Sequence, residues 1–131
     1  MSIRDTEAMI RSMAPHRQPG VWHFVSVSSE QAERLTPKAL SVMQEPEGPS
    51  LLLSEDIARA EGLLTDLPMA HILLRVNSAL DGVGLTAAVA TKLAAAQIPA
   101  NVIAGAQHDH VFVPVEMAER AVELLQERSK Q

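Results

Sequence analysis

The stretch from Asp81 to Leu125, DGVGLTAAVATKLAAAQIPANVIAGAQHDHVFVPVEMAERAVELL, decides how the rest of the chain is read. A Gly-rich turn opens it. An apolar stripe of Leu85, Ala88, Val89, Leu93 and Ala96 follows at helical spacing and predicts a helix over 85–96. Asn101, Val102 and Ile103 begin a short strand, a tight turn follows, and HVFVP reads as its hairpin partner. Met117, Ala121, Leu124 and Leu125 then mark one face of a helix over 115–128. Just upstream, AHILLRVN (70–77) reads as a strand with Ile72, Leu74 and Val76 on one face and His71, Leu73, Arg75 and Asn77 on the other. The order is β-α-β-β-α, most of a split βαβ unit of ferredoxin-like type.

The first half repeats this order less clearly. VWHFVSVS (21–28) reads as a strand, and ALSVMQ (39–44) and SLLL (50–53) as strands joined by the turn EPEGP. SEDIARAEGLL reads as a helix capped by Ser54, with acidic Glu55 and Asp56 in its first turn and Gly62 ending it. Sliding the chain by sixty positions lays Val42 on Val102, Leu51 on Val111, Leu53 on Val113, Ala58 on Ala118 and Leu64 on Leu124. The upstream strands match only at a shorter offset, Val27 to Val76. The polar run SEQAERLTPK reads as a connection, so the first helix is expected to be missing from the N-terminal half. Asp5 to Met13 reads as a short helix, and APHRQPG (14–20), with two prolines and a glycine, as its break. The expected division is an N-terminal helix and linker over 1–20, one half over 21–68 and a second over 69–131.

Composition narrows the function. The chain has 131 residues, 47% hydrophobic and only 2% aromatic, so its core must be aliphatic. Net charge is -5, and no basic footprint for nucleic acid or a membrane surface is present. There is no cysteine, which excludes disulfides, thiolate metal sites and a Cys nucleophile. The N-terminal sequence lacks a signal-peptide apolar block, and no run is long enough for a transmembrane helix, so the expected location is cytoplasmic.

VGLTAAVATKLAAAQIPANVIAG followed by HDHVFVPVEMAERAVELL resembles the small bacterial tandem ACT-domain proteins, once described only as a domain of unknown function. More distantly, it is similar to the regulatory ACT repeats of aspartate kinase. The N-terminal half fits the same pattern through EGPSLLLSED. The resemblance implies an α+β fold: two ferredoxin-like βαββαβ units with shared or exchanged strands, an antiparallel sheet and helices on one face. It implies a non-catalytic regulatory protein. An effector, expected to be an amino acid, would be held at the interface between ACT units, and the chain would be a homodimer. No cofactor is called for.

The ligand wall implied by the resemblance is the loop Asp81, Gly82, Val83, Gly84, Leu85 and Thr86. Its glycines would let the backbone approach a ligand, and the N–H groups of Leu85 and Thr86 would meet a carboxylate at a helix start. Asp81 would receive an ammonium group. The same loop could equally be a plain chain reversal. Asn101, Val102 and Ile103 would offer strand backbone to the ligand. No Lys follows the second glycine, which argues against a nucleotide loop. His108 and His110 could share a strand face and bind a metal, but two ligands are too few. His71 and His23 could join them only if the fold brought them there. HDH reads more simply as a polar hairpin turn. Trp22 and Phe24 are expected in the core or in a subunit contact. Two other functions stay open: a structural or protein-interaction module with a vestigial pocket, and a small metal-dependent enzyme using His108 and His110.

Overall fold

The computed structural model describes residues 13–75 and 84–129, with side chains to residue 126. Its strands are β1 (Pro15–Ser26), β2 (Ser41–Glu45), β3 (Gly48–Ser54), β4 (Met69–Leu74), β5 (Asn101–Ala104) and β6 (Asp109–Pro114). Its helices are α1 (Ser29–Leu35), α2 (Glu55–Ala60), α3 (Leu85–Ala95) and α4 (Ala118–Ser129), with single 3-10 turns over Thr36–Lys38 and Val115–Met117. The strands hydrogen-bond in the order β2-β3-β1-β4-β6-β5. Among the described residues no helix is long and apolar enough to cross a membrane.

Two compact units divide the chain. One takes in the start of the chain up to Pro19 and everything from Ala70 onward; the other is Gly20–Met69. β1 therefore belongs to both, its first five residues to one unit and the rest to the other. In the larger unit this puts β1 beside β4, β6 and β5, the four-strand order of a ferredoxin-like sheet with its last strand supplied from upstream. The expected sharing of strands is thus carried by one long strand.

The duplication shows in the hairpin registers. Val42 faces Leu51 and Met43 faces Ser50; sixty residues on, Val102 faces Val111 and Ile103 faces His110. Equal register puts equivalent side chains on the same face, because a slip of one residue would invert every one. Leu51, Leu53 and Ala58 are accordingly buried in one unit, and Val111, Val113 and Ala118 in the other.

Each unit has its own aliphatic core. In the larger, Ile72 and Leu74 of β4 and Val111 and Val113 of β6 pack under Leu85, Val89 and Leu93 of α3 and Ala121 and Leu125 of α4. Burying each of the larger of these side chains contributes roughly 1.5–3 kcal/mol. In the smaller, Val25, Leu35, Leu51, Leu53 and Ala58 form the cluster. Met13 is 1% exposed and joins the larger core, whereas the helix expected over Asp5 to Met13 otherwise lies outside the described residues.

Three expectations are corrected. APHRQPG, expected as helix break and linker, is strand from Pro15 onward: β1 starts there and runs through Pro19. A proline lacks only its own N–H, which interrupts a ladder only where that N–H would point at a partner strand, and the ladder with β3 begins later, at Trp22. SEQAERL is a helix, not a connection. Ser28 Oγ accepts the N–H of Gln31, and the Gln31 side chain accepts the N–H of Ser28, a capping box that starts α1 in spite of Pro37. The first helix is therefore present in the N-terminal half, shortened to seven residues rather than deleted. Finally, of the two places expected for Trp22 and Phe24, the core is ruled out. Strand alternation gives that face to His23 and Val25, and Phe24 is 37% exposed.

Candidate functional site

Of the expected ligand loop, Asp81, Gly82 and Val83 lie outside the described residues, while Gly84, Leu85 and Thr86 begin α3. Gly84 is the N-cap. Its φ of 105° is left-handed backbone that a side chain would strain, and among the described residues no side chain caps the helix. α3 differs here from α1 and α2, where Ser28 and Ser54 accept first-turn N–H groups. Leu85 turns into the core at 5% exposure and Thr86 is exposed. The start of α3 thus has the positive end of a helix dipole and, among the described residues, no carboxylate or hydroxyl bound to it.

Asn101, Val102 and Ile103 form β5 with Ala104. β5 pairs with β6 on one side and ends the strand order, so among the described residues no strand pairs with its other side. Asn101 is exposed, while Val102 and Ile103 are half-buried.

The histidines separate into two groups. His110 and His71 come together: His71 Nε2 lies 2.9 Å from His110 Nδ1, and the rings stack with centroids 5.1 Å apart. Phe112 stacks on His71 at 4.7 Å. Burial, and then the neighbouring His110, lowers His71 to a pKa of about 4. His110 is also lowered, by burial first and His108 second, against the opposing pull of Asp109. Burial raises Asp109, and the two flanking histidines offset part of that rise. His23 is elsewhere, bonded to Thr65 and Glu55. Among the described residues no three His, Cys, Asp or Glu side chains could hold a metal ion together. The His71–His110 contact was not legible in sequence, because 39 residues separate the two.

Two ACT-domain models match the chain, one over residues 2–70 and one over residues 70–127. Among solved structures, a Vibrio cholerae protein of unknown function, described as a possible transport protein, is 40% identical over 94% of both chains with a TM-score of 0.84. An Agrobacterium tumefaciens protein is 16% identical over 89% of both chains, TM-score 0.68. The regulatory subunit of aspartate kinase from Thermus flavus is 12% identical, covering 89% of this chain and 96% of that one, TM-score 0.61, a likeness of fold. No curated protein matches the chain. ACT domains are regulatory modules that typically bind ligands. With one such domain matched in each half, the chain belongs to the ACT-domain family.

Proposed function

We propose that this protein is a non-catalytic regulator that binds a small effector, an amino acid, where two ACT units meet. The chain is read as two such units, over 21–68 and 69–131 after the short N-terminal segment, and the ligand would sit between the unit over 69–131 and a second copy of the chain. The uncapped start of α3 carries the proposal. Gly84 brings bare backbone to the surface, and the first-turn N–H groups of Leu85 and Thr86 suit a carboxylate. Gly82, Val83 and Asp81 would complete the wall, with Asp81 taking the ammonium group. The free side of β5, at Asn101, Val102 and Ile103, supports capture against a second copy of the chain, because an unpaired strand edge accepts backbone partners.

Thermal-shift measurements against the twenty amino acids test this reading. A ligand that binds only the folded state at a hundred times its Kd adds about 2.7 kcal/mol of stability. The expected result is a saturable rise with one amino acid or a small related set, reduced by Asp81→Ala. Light scattering is expected to give the mass of a dimer. No response at millimolar concentration would overturn the proposal.

A further inference from the structure

His71 on β4 and His110 on β6 alternate with core residues, so both rings lie on the sheet face turned away from Ile72, Val111 and Val113. Their nitrogens, 2.9 Å apart, form a hydrogen bond that holds a single hydrogen, so one of the two must be bare. We propose that this pair is a proton-operated lock on the β5–β6 hairpin, closed while one proton lies between the rings and released as acid charges them.

The hairpin turn is built around His110. Gly105 N–H donates to His108 C=O at 2.9 Å. A Cβ at Gly105 would stand 3.0 Å from that oxygen and 3.4 Å from His110 Nε2, so the ring covers the turn with no space between. Across the ladder, His110 faces Ile103 and Asp109 faces Ala104. When the ring of His110 moves, the turn loses its cover and the register of β5 loses an anchor.

Acid works against the closed form. A proton taken up by the pair is buried beside Phe112, which is fully inside, and His71 is itself only 7% exposed. Two charged rings would place hydrogens on both facing nitrogens and break the bond. Among the described residues, His108 opposes charging of His110 and Asp109 favours it, and β1, the strand beside β4, carries the ionisable His16 and Arg17. β4 contributes His71 itself, and β5 contributes Ile103 and Ala104, which do not ionise. An opened hairpin returns each imidazole to its ordinary affinity for protons. Each released ring therefore makes opening about tenfold easier per pH unit below about 6.5. The consequence for effector capture rests on the reading of β5 as a ligand strand; the lock itself does not.

Amide hydrogen exchange on the full chain, without ligand and corrected for intrinsic rates, tests the lock at about pH 7.5 and about pH 5. Over this range the amides of 105–110 are expected to lose at least about tenfold protection relative to the β1–β3 ladder. His71→Phe keeps an aromatic ring on Phe112 and leaves only His110 of the pair to titrate, so its hairpin protection is expected to fall by a clearly smaller factor than in the unmodified protein. Should that variant fail to fold, His110→Asn and the imidazole nitrogen shifts of the unmodified protein give the same reading. Unchanged hairpin protection in the unmodified protein, or an equal loss in a folded variant, would overturn the lock. Because no amino acid is added, that failure is distinct from failure of the effector reading.

Discussion

Thr65 donates its backbone N–H to Nδ1 of His23 at 3.1 Å, across 42 residues of sequence. A nitrogen that accepts an N–H carries no hydrogen of its own, so the proton of the ring sits on Nε2, which donates to Glu55 Oε1 at 3.1 Å. The Thr65 hydroxyl also donates to Nδ1, at 2.9 Å, and its oxygen accepts the N–H of Leu67. A ring 1% exposed therefore ties β1 to the start of α2 and to the segment after α2.

Replacing His23 by leucine keeps the bulk but leaves the Thr65 N–H without its acceptor. The expected loss is about 1–3 kcal/mol of unfolding free energy, read by urea denaturation. Thr65→Val keeps the N–H bond and removes only the hydroxyl, so its loss should be the smaller of the two. Equal losses would mean that the hydroxyl, not the backbone bond, sets the geometry.

Ser28→Ala removes the acceptor of the Gln31 N–H and opens the capping box. It should cost about 0.5–2 kcal/mol in thermal unfolding. Ser54→Ala should cost less, because its bond to the Ile57 N–H is 3.4 Å long. The reverse order would show that α1 is held by packing of Leu35 rather than by its cap.

α2 and α3 end alike. Leu63 N–H bonds to Ala58 C=O and Gly62 N–H to Arg59 C=O; Ile98 N–H bonds to Leu93 C=O and Gln97 N–H to Ala94 C=O. Both are Schellman motifs with a left-handed residue, Gly62 at φ 70° in one and Gln97 at φ 61° in the other. Gln97→Gly should therefore stabilise by up to ~1 kcal/mol and Gly62→Ala destabilise by about as much. Nothing lies within 4 Å of a Cβ at Gly62, so that cost is conformational alone. Calorimetry on the two variants reads both signs.

Gly105→Ala acts by a different route. Its Cβ would meet the His108 backbone oxygen at 3.0 Å, and backbone cannot swing aside as a side chain can. A loss of about 1–3 kcal/mol is expected in chemical denaturation. A neutral outcome would show that the turn can open without cost.

Stability should fall with acid. His71 titrates near 4 in the folded chain, against an ordinary value of 6.5, so between these pH values the unfolded chain binds more protons. Its contribution is complete above about pH 6.5 and is lost as pH falls from there through about 4. A shift of this size corresponds to at most ~3 kcal/mol, and the lowering of His110 acts in the same sense. Denaturation midpoints measured from pH 7 to pH 4 should drop in the unmodified protein and drop less in His71→Phe.

The sequence by itself determined whatever depends on near neighbours. The stripe of Leu85, Val89 and Leu93 and the alternation of β6 are each written within about a dozen residues, and so is the Ser54 cap. The sixty-residue repeat was legible because both hairpins need the same register. α1 was missed although Ser28 and Gln31 spell its capping box, since Pro37 and the polar composition masked a local signal. Only tertiary structure decided that β1 runs through two prolines, because a missing N–H matters only if it would point at a partner strand rather than away from one. It alone joined His71 to His110 and His23 to Thr65, since a hydrogen bond depends on distance in space and leaves no trace in spacing along the chain.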